Sequence, residues 1–220
     1  MSINSEYDTL NARVLAAVPT TGRRILDVGC GAGRLGKHLK ARQPCHVTGI
    51  THSRDEAQIA REWLDDVKEV DLDRFSGILA PPFDVVVLSH ILEHIRSPEV
   101  ILPRVLESAA PGATVIVALP NVLWWRQRLE FMLGRFRYAD AGIMDRTHVH
   151  FFDRGEAFRL LQDAGLALLR EEMVGECPGS RFLGPIRPAV DRLAVKAAPG
   201  LFSFEFIFVC RNSESGEGGR

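Results

Sequence analysis

No stretch of this 220-residue chain reaches the ~18 consecutive apolar residues that a membrane span needs. The first residues, Met-Ser-Ile-Asn-Ser-Glu-Tyr-Asp, lack the basic and apolar regions of a secretory signal. Cysteine is scarce: Cys30, Cys45, Cys177 and Cys210 form neither a CxxC pair nor a dense framework. A reduced, cytoplasmic compartment is therefore expected. Neither sign of charge dominates. The formal net charge is −1, so there is no global basic field and non-specific nucleic-acid binding is not suggested. Internal repeats are also missing.

What is present suits a globular domain. Apolar residues make up 46% and charged residues 25%, enough to bury a full core in one α/β unit. Residues 1–22 read as an N-terminal helical leader, with a helix over roughly 7–18 stopped by Pro19 and Gly22. Strand-like runs at 24–28, 46–50, 84–88 and 113–119 alternate with helical stretches at 34–41, 54–65 and 98–109. A weak strand signal lies at 67–70, and Ala110-Pro111-Gly112 reads as a helix stop. Such alternation predicts a mostly parallel sheet covered on both faces. Beyond Pro120 come an amphipathic aromatic segment (122–136), a helix over 154–164, and strands near 166–174 and 203–210. A Pro/Gly-rich stretch at 178–200 leaves room for one short helix. The domain is expected to span 23–212, with a disordered Gly/Ser/Glu-rich tail at 213–220.

Residues 24–39 carry most of the information. The run Ile25, Leu26, Val28 breaks at Gly29, Gly31 and Gly33, and a helical pattern follows. Glycine at alternate positions lets a ligand approach the backbone, and the next helix presents free N–H groups to it. Gly31, Gly33 and Gly36 also fit the G-x-G-x-x-G dinucleotide spacing, so a nicotinamide-dependent oxidoreductase stays open on spacing alone. The full string Asp27-Val28-Gly29-Cys30-Gly31-Ala32-Gly33 resembles the first motif of class I S-adenosylmethionine (SAM) methyltransferases. In that class the turn carries the amino-acid end of SAM.

The resemblance extends over roughly 22–211. Leu119-Pro120-Asn121, the aromatic segment and Asp145-x-x-His148-x-x-Phe151-Phe152 resemble a bacterial subgroup of small methyltransferases related to MetW-like proteins and found near glycan biosynthesis functions. It implies a three-layer fold with a seven-stranded, mostly parallel sheet and an antiparallel last strand. It implies SAM as cofactor, held by Asp27, Gly29, Cys30, Gly31 and Gly33 after the first strand and by Thr51 and His52 after the second. Asp71 would accept from the adenine amino group while Leu72 packs on the ring, and Ser89 and His90 would line the methionine side. The class usually has an acid at the end of the second strand for the ribose hydroxyls. Thr51 stands there, so weaker SAM binding is expected, and a degenerate, non-catalytic partner protein remains the alternative.

His90-Ile91-Leu92-Glu93-His94 matches the H-x-x-E-H zinc pattern. Its place just after a strand argues against one helix face, so no metal is expected. Glu93 and His94 are either a loop brace or a pair on the pocket wall. SAM is an activated electrophile, so the protein's task is to align a nucleophile and to remove the proton of a hydroxyl acceptor. His148 is the first choice as base, Asp145 as its orienter, with His94 a further catalytic candidate and His150 turned away. The expected substrate is a small-molecule methyl acceptor, a hydroxyl of a sugar or secondary metabolite. The aromatic segment with Arg126, Arg128, Arg135 and Arg137 reads as a packing helix, an anionic-ligand surface or a peripheral membrane contact. The sequence leaves the oligomeric state open.

Overall fold

The computed structural model of the chain describes residues 9–75, 79 and 82–213. The strands are β1 (Arg24–Val28), β2 (His46–Thr51), β3 (Asp66–Glu69), β4 (Phe83–Ser89), β5 (Ala109–Pro120), β6 (Leu166–Gly175) and β7 (Ser203–Asn212). They form one sheet in the order β3-β2-β1-β4-β5-β7-β6. The first five strands pair in parallel, and β7 runs antiparallel to both β5 and β6. The helices are α1 (Ala12–Ala17), α2 (Arg34–Arg42), α3 (Arg54–Ala60), α4 (Pro98–Leu106), α5 (Trp125–Met132), α6 (Arg154–Asp163), α7 (Arg187–Ala197) and α8 (Pro199–Phe202).

The sheet is apolar on both faces because side chains alternate along each strand. Leu26, Val28, Val86 and Leu88 fill one core layer with α4 and α6, while Ile25, Val85 and Val87 fill the other with α1 and α2. This is why these strands read as continuous apolar runs. The last strand pair is longer than the sequence suggests, since β6 and β7 cover each other's backbone over their whole length.

Several boundaries differ from expectation. The first helix begins at Ala12, capped by Asn11, whose Oδ1 accepts from the amides of Arg13 and Val14. Its expected start at residue 7 lies outside the described residues, as does the tail from 214 on. Helix α3 stops at Ala60 because the chain turns so that the Asp65 carboxylate can accept from the Val47 amide (2.8 Å) and pair with Lys40 (2.7 Å). Pro111 and Gly112 lie inside β5 instead of ending a helix. Pairing jumps from Phe83↔Ala109 to Val85↔Thr114, so the proline sits in a bulge where its missing N–H costs no ladder bond. The stretch at 178–200 holds the eleven-residue α7 as well as α8.

Candidate active site

The strand-to-helix turn after β1 has a backbone that a ligand could approach. Gly29 and Gly31 both adopt positive φ (78° and 52°), open to glycine without strain. A Cβ on Gly29 would strike Ile91 at 2.9 Å, whereas one on Gly31 would meet nothing within 4 Å. The turn therefore touches the loop after β4 on one side and faces open space on the other. The Gly29 and Cys30 amides donate to the Ile50 carbonyl (2.9 and 2.8 Å) and lock the turn to β2. The Cys30 thiol is buried against Gly49, and burial raises its pKa, so it serves as a packing group. Gly33, also at positive φ, caps α2 and lies against Ala60.

Asp27, at the foot of the turn, is 3% exposed, and its Oδ2 has no hydrogen-bond partner. Burial pushes its carboxyl up to about 7. An orphaned carboxylate oxygen beside an open glycine turn suits the ammonium of an amino-acid moiety. On that ground these residues fit the amino-acid end of SAM.

The end of β2 holds a carboxylate that the sequence pattern hides. Thr51 is buried, and its hydroxyl donates to Glu56 Oε2 at 2.7 Å while accepting from the Ser53 amide at 3.2 Å. Glu56 lies in the first turn of α3 and acts electrostatically on Cys30, so it stands beside the glycine turn. His52 is exposed. After β3, Asp71 accepts from the Asp73 amide and caps a 3-10 turn, leaving its other oxygen toward solvent near Arg74. Leu72 points into the core with Val28 and Ile50.

His90, next to Ser89 at the end of β4, is the non-glycine residue with positive φ (52°) among those described. Its ring does not open to the methionine side alone. Nδ1 meets Glu93 Oε1 at 3.2 Å and Nε2 meets Glu205 Oε1 of β7 at 2.7 Å. The side chain is 40% exposed, so desolvation opposes a charge only in part, and the two carboxylates hold the imidazolium well above the ordinary histidine range.

The 3-10 turn Leu92–His94 and the loop after α5 bring three groups together. The loop is pinned because the amides of Val149 and His150 both donate to the Glu93 carbonyl (2.9 and 3.1 Å). His150 turns outward to the Arg96 carbonyl at 3.0 Å. His148 Nδ1 donates to the Ile143 carbonyl at 3.1 Å, which leaves Nε2 as a lone pair. Asp145 acts on His148 through its charge, while one of its oxygens is engaged elsewhere. Its Oδ1 accepts from the Thr147 hydroxyl at 2.6 Å, and that hydroxyl, having spent its proton, accepts from His94 Nδ1 at 3.1 Å. Asp145 thus steers His94 through Thr147. The His94 and His148 rings meet edge to face at 4.7 Å.

Glu93 is fully buried, with Oε2 unpartnered. Ligand atoms of Glu93, His94 and His148 lie within 4.8 Å of one another. Three acceptors facing one another repel unless a positive species sits among them. Such a group can take up a proton from an acceptor hydroxyl, and its two-nitrogen, one-oxygen donor set also suits a divalent cation. Desolvation lowers the His148 pKa more than the Glu93 charge raises it, so the imidazole is neutral and ready to accept.

The profile of a methyltransferase domain family matches residues 4–171. The chain belongs to this family. A ubiquinone biosynthesis O-methyltransferase of Xylella fastidiosa (strain 9a5c) is 36% identical over 161 residues, covering 69% of this chain and 63% of that protein. The match thus spans less than two thirds of the curated relative. Among solved structures, a SAM-dependent methyltransferase from Archaeoglobus fulgidus shares the fold with a TM-score of 0.66 at 17% identity, covering 91% of each chain. Another, from Mesorhizobium loti, aligns at 0.64 and 18% identity, covering 91% of this chain and 96% of that one.

Within this methyltransferase family the cofactor is SAM, and the dinucleotide spacing at Gly31, Gly33 and Gly36 has another cause. A Cβ on Gly36 would strike Leu64 Cδ2, so that glycine serves the packing of α2 on the segment after α3. Sequence reasoning overlooked Glu56, Glu205 and Thr147. Glu56 is five residues beyond Thr51 on the first turn of a Ser53-capped helix, a spacing that a capping analysis reveals. Glu205 carries no local signal, since His90 lies 115 residues away, and the local Thr147–Asp145 bond does not reveal that Thr147 also meets His94, 53 residues away.

Proposed function

We propose that this methyltransferase-family protein transfers the methyl group of SAM to a hydroxyl oxygen of a small-molecule acceptor. The observation that carries the reading is the convergence of Glu93, His94 and His148 on the loop that also packs Ile91 against Gly29. The cluster and the glycine turn both follow the carboxyl ends of neighbouring strands, β4 and β1, which is where open α/β sheets bind ligands.

SAM supplies a methyl carbon already activated by a sulfonium. Asp27 takes the ammonium of its amino-acid part, and the backbone at Gly29 and Gly31 lets that part approach. Thr51 and Glu56 take the ribose hydroxyls, Glu56 replacing the acid missing at the end of β2. This pair speaks against a degenerate, non-catalytic protein. His148 Nε2 accepts the hydroxyl proton as the oxygen attacks, and buried Glu93 stabilises the resulting imidazolium. Asp145, through Thr147, fixes His94 as the second wall of the acceptor site.

The acceptor we favour is a sugar or secondary metabolite. The relative's name as a ubiquinone biosynthesis O-methyltransferase supports oxygen as the methylated atom. Phe151, whose ring lies 6.2 Å from His148, favours a phenolic ring as a second acceptor class. Labelled SAM offered with a panel of polyhydroxylated and phenolic acceptors tests the reading. Methyl transfer that His148→Ala abolishes at unchanged binding of S-adenosylhomocysteine supports it. Equal loss of binding and turnover in that variant refutes the base assignment.

A further inference from the structure

The most unusual surface of the molecule lies at one end of the sheet, where β6 leads toward α7 and α5 follows β5. Met132 and Phe182 are each 83% exposed, and Leu193, Ile186, Leu133 and Phe136 are exposed by 67, 59, 56 and 56%. Every residue from 181 to 189 is exposed. Isolated apolar side chains on a surface are ordinary, but this many on two adjoining segments are not.

Charge singles out the same two segments. Residues 121–138 carry four arginines against one acid, Glu130, and residues 181–196 carry four basic side chains against one acid, Asp191. The whole chain has a net charge of −1, so the remainder is distinctly acidic. The segments are tied together at Glu176. Its carbonyl accepts from Trp125 Nε1 at 3.1 Å, and its carboxylate pairs with Arg187 at 3.1 Å. Arg128 also reaches the Gly200 carbonyl at 3.4 Å.

We propose that this end of the protein docks on the surface of a bilayer containing anionic phospholipid. Arginines interleaved with exposed Met, Leu, Ile and Phe tips match such a surface. The apolar tips enter the acyl boundary while the guanidinium groups stay at the phosphates. No helix among the described residues is long and apolar enough to cross a membrane, so contact lies in the interfacial plane. The same charge excess disfavours a second copy of this chain, whose matching face would bring like charges together.

A file of aromatic rings runs inward from this surface. Phe136 stacks on Phe131 at 5.4 Å and meets Phe151 at 6.0 Å, and Phe151 meets His148 at 6.2 Å. The proposed surface is thus linked to the base cluster by packed rings, which suits an acceptor with an apolar portion, a consequence that rests on the proposed function.

The test is co-sedimentation of the full chain with vesicles of phosphatidylglycerol mixed with phosphatidylcholine, compared with phosphatidylcholine alone. The mixed vesicles are expected to bind the protein, less so as salt rises, and the neutral ones to bind it weakly. Arg137→Gln and Arg192→Gln are each expected to lower the partition coefficient about fivefold. Combined Met132→Glu and Phe182→Glu should abolish binding with S-adenosylhomocysteine affinity unchanged. Absence of binding to anionic vesicles, equal binding to neutral ones, or indifference to the arginine substitutions would overturn the proposal. So would a dimer in sedimentation that the Met132 and Phe182 substitutions dissociate, which would assign the face to a second copy. Vesicle binding is read without acceptor or turnover, so its failure leaves the methyl-transfer reading standing, and failed turnover leaves the surface standing.

Discussion

The Thr51 hydroxyl donates to Glu56 Oε2 at 2.7 Å, placing a carboxylate of α3 where β2 itself supplies none. A buried hydroxyl holding a half-buried carboxylate is a pre-organised acceptor pair for a diol. Glu56→Gln is expected to weaken S-adenosylhomocysteine binding roughly tenfold, the difference between a charged and a neutral hydrogen bond. Thr51→Val should have a smaller effect, because the carboxylate stays while its brace is lost. Calorimetry on both variants checks this, and unaltered affinity in Glu56→Gln would remove that residue from the cofactor site.

Turnover should depend on His148 far more than cofactor binding does. His148→Ala is expected to lower kcat by about 10²–10⁴. Burial holds the His148 pKa below its usual value, so kcat/KM should fall only when pH drops below about 6.5, where the ring protonates. A rate profile of wild type and Glu93→Gln tests the assignment. Loss of the Glu93 charge should move the acid limb to still lower pH, since that charge favours the protonated ring.

Asp145→Asn separates bracing from catalysis. Its Oδ1 takes the Thr147 hydroxyl and so acts on His94, while the Nδ1 of His148 bonds the Ile143 carbonyl. The substitution is expected to raise KM for the acceptor more than it lowers kcat. A fall in kcat as large as that of His148→Ala would make Asp145 the orienter of the base after all.

Asp27 should destabilise the ligand-free protein at neutral and alkaline pH. Its folded pKa is raised from 3.8 to about 7, so folding binds a proton and stability falls as pH climbs through that window. Asp27→Asn is expected to raise the melting temperature at pH above 7, by up to about 4 kcal/mol of stability if the whole shift is relieved. It should also weaken S-adenosylhomocysteine binding. Thermal melts across pH with calorimetry on the same variant check both.

His90 works in the opposite direction. Hydrogen bonds to Glu205 and Glu93 raise its folded pKa to about 10 against a partial desolvation. Its contribution to stability is therefore fully present below about pH 6.5 and lost as pH rises toward that folded value. His90→Asn, which tolerates the positive φ, should flatten the decline of the melting temperature between neutral and alkaline pH. An unchanged slope would show that the clamp on β7 carries no charge.

Much of the architecture is legible without coordinates, because strands buried on both faces must be apolar throughout. Ile25, Leu26 and Val28, or Val85 through Leu88, admit hardly any other reading. The glycine turn is equally legible, since the positive φ at Gly29 and Gly31 favours glycine. Boundaries were less so. Pro111 and Gly112 signal a stop in any local reading, yet β4 pairs with Ala109 before them and with Thr114 after them, so β5 runs through them as a bulge.

The amino-acid order thus determined the alternation of strands and helices, the glycine turn and the residue types available for proton transfer, all of which depend on neighbours within a few positions. Tertiary structure decided which of those residues work together. Glu205 reaches His90 across the sheet, and Asp145 reaches His94 through Thr147. The Glu93–His94–His148 cluster exists only because a loop some fifty residues downstream hydrogen-bonds to the Glu93 carbonyl. Hydrogen bonds and ion pairs act over a few ångströms regardless of separation along the chain, so no periodicity records them.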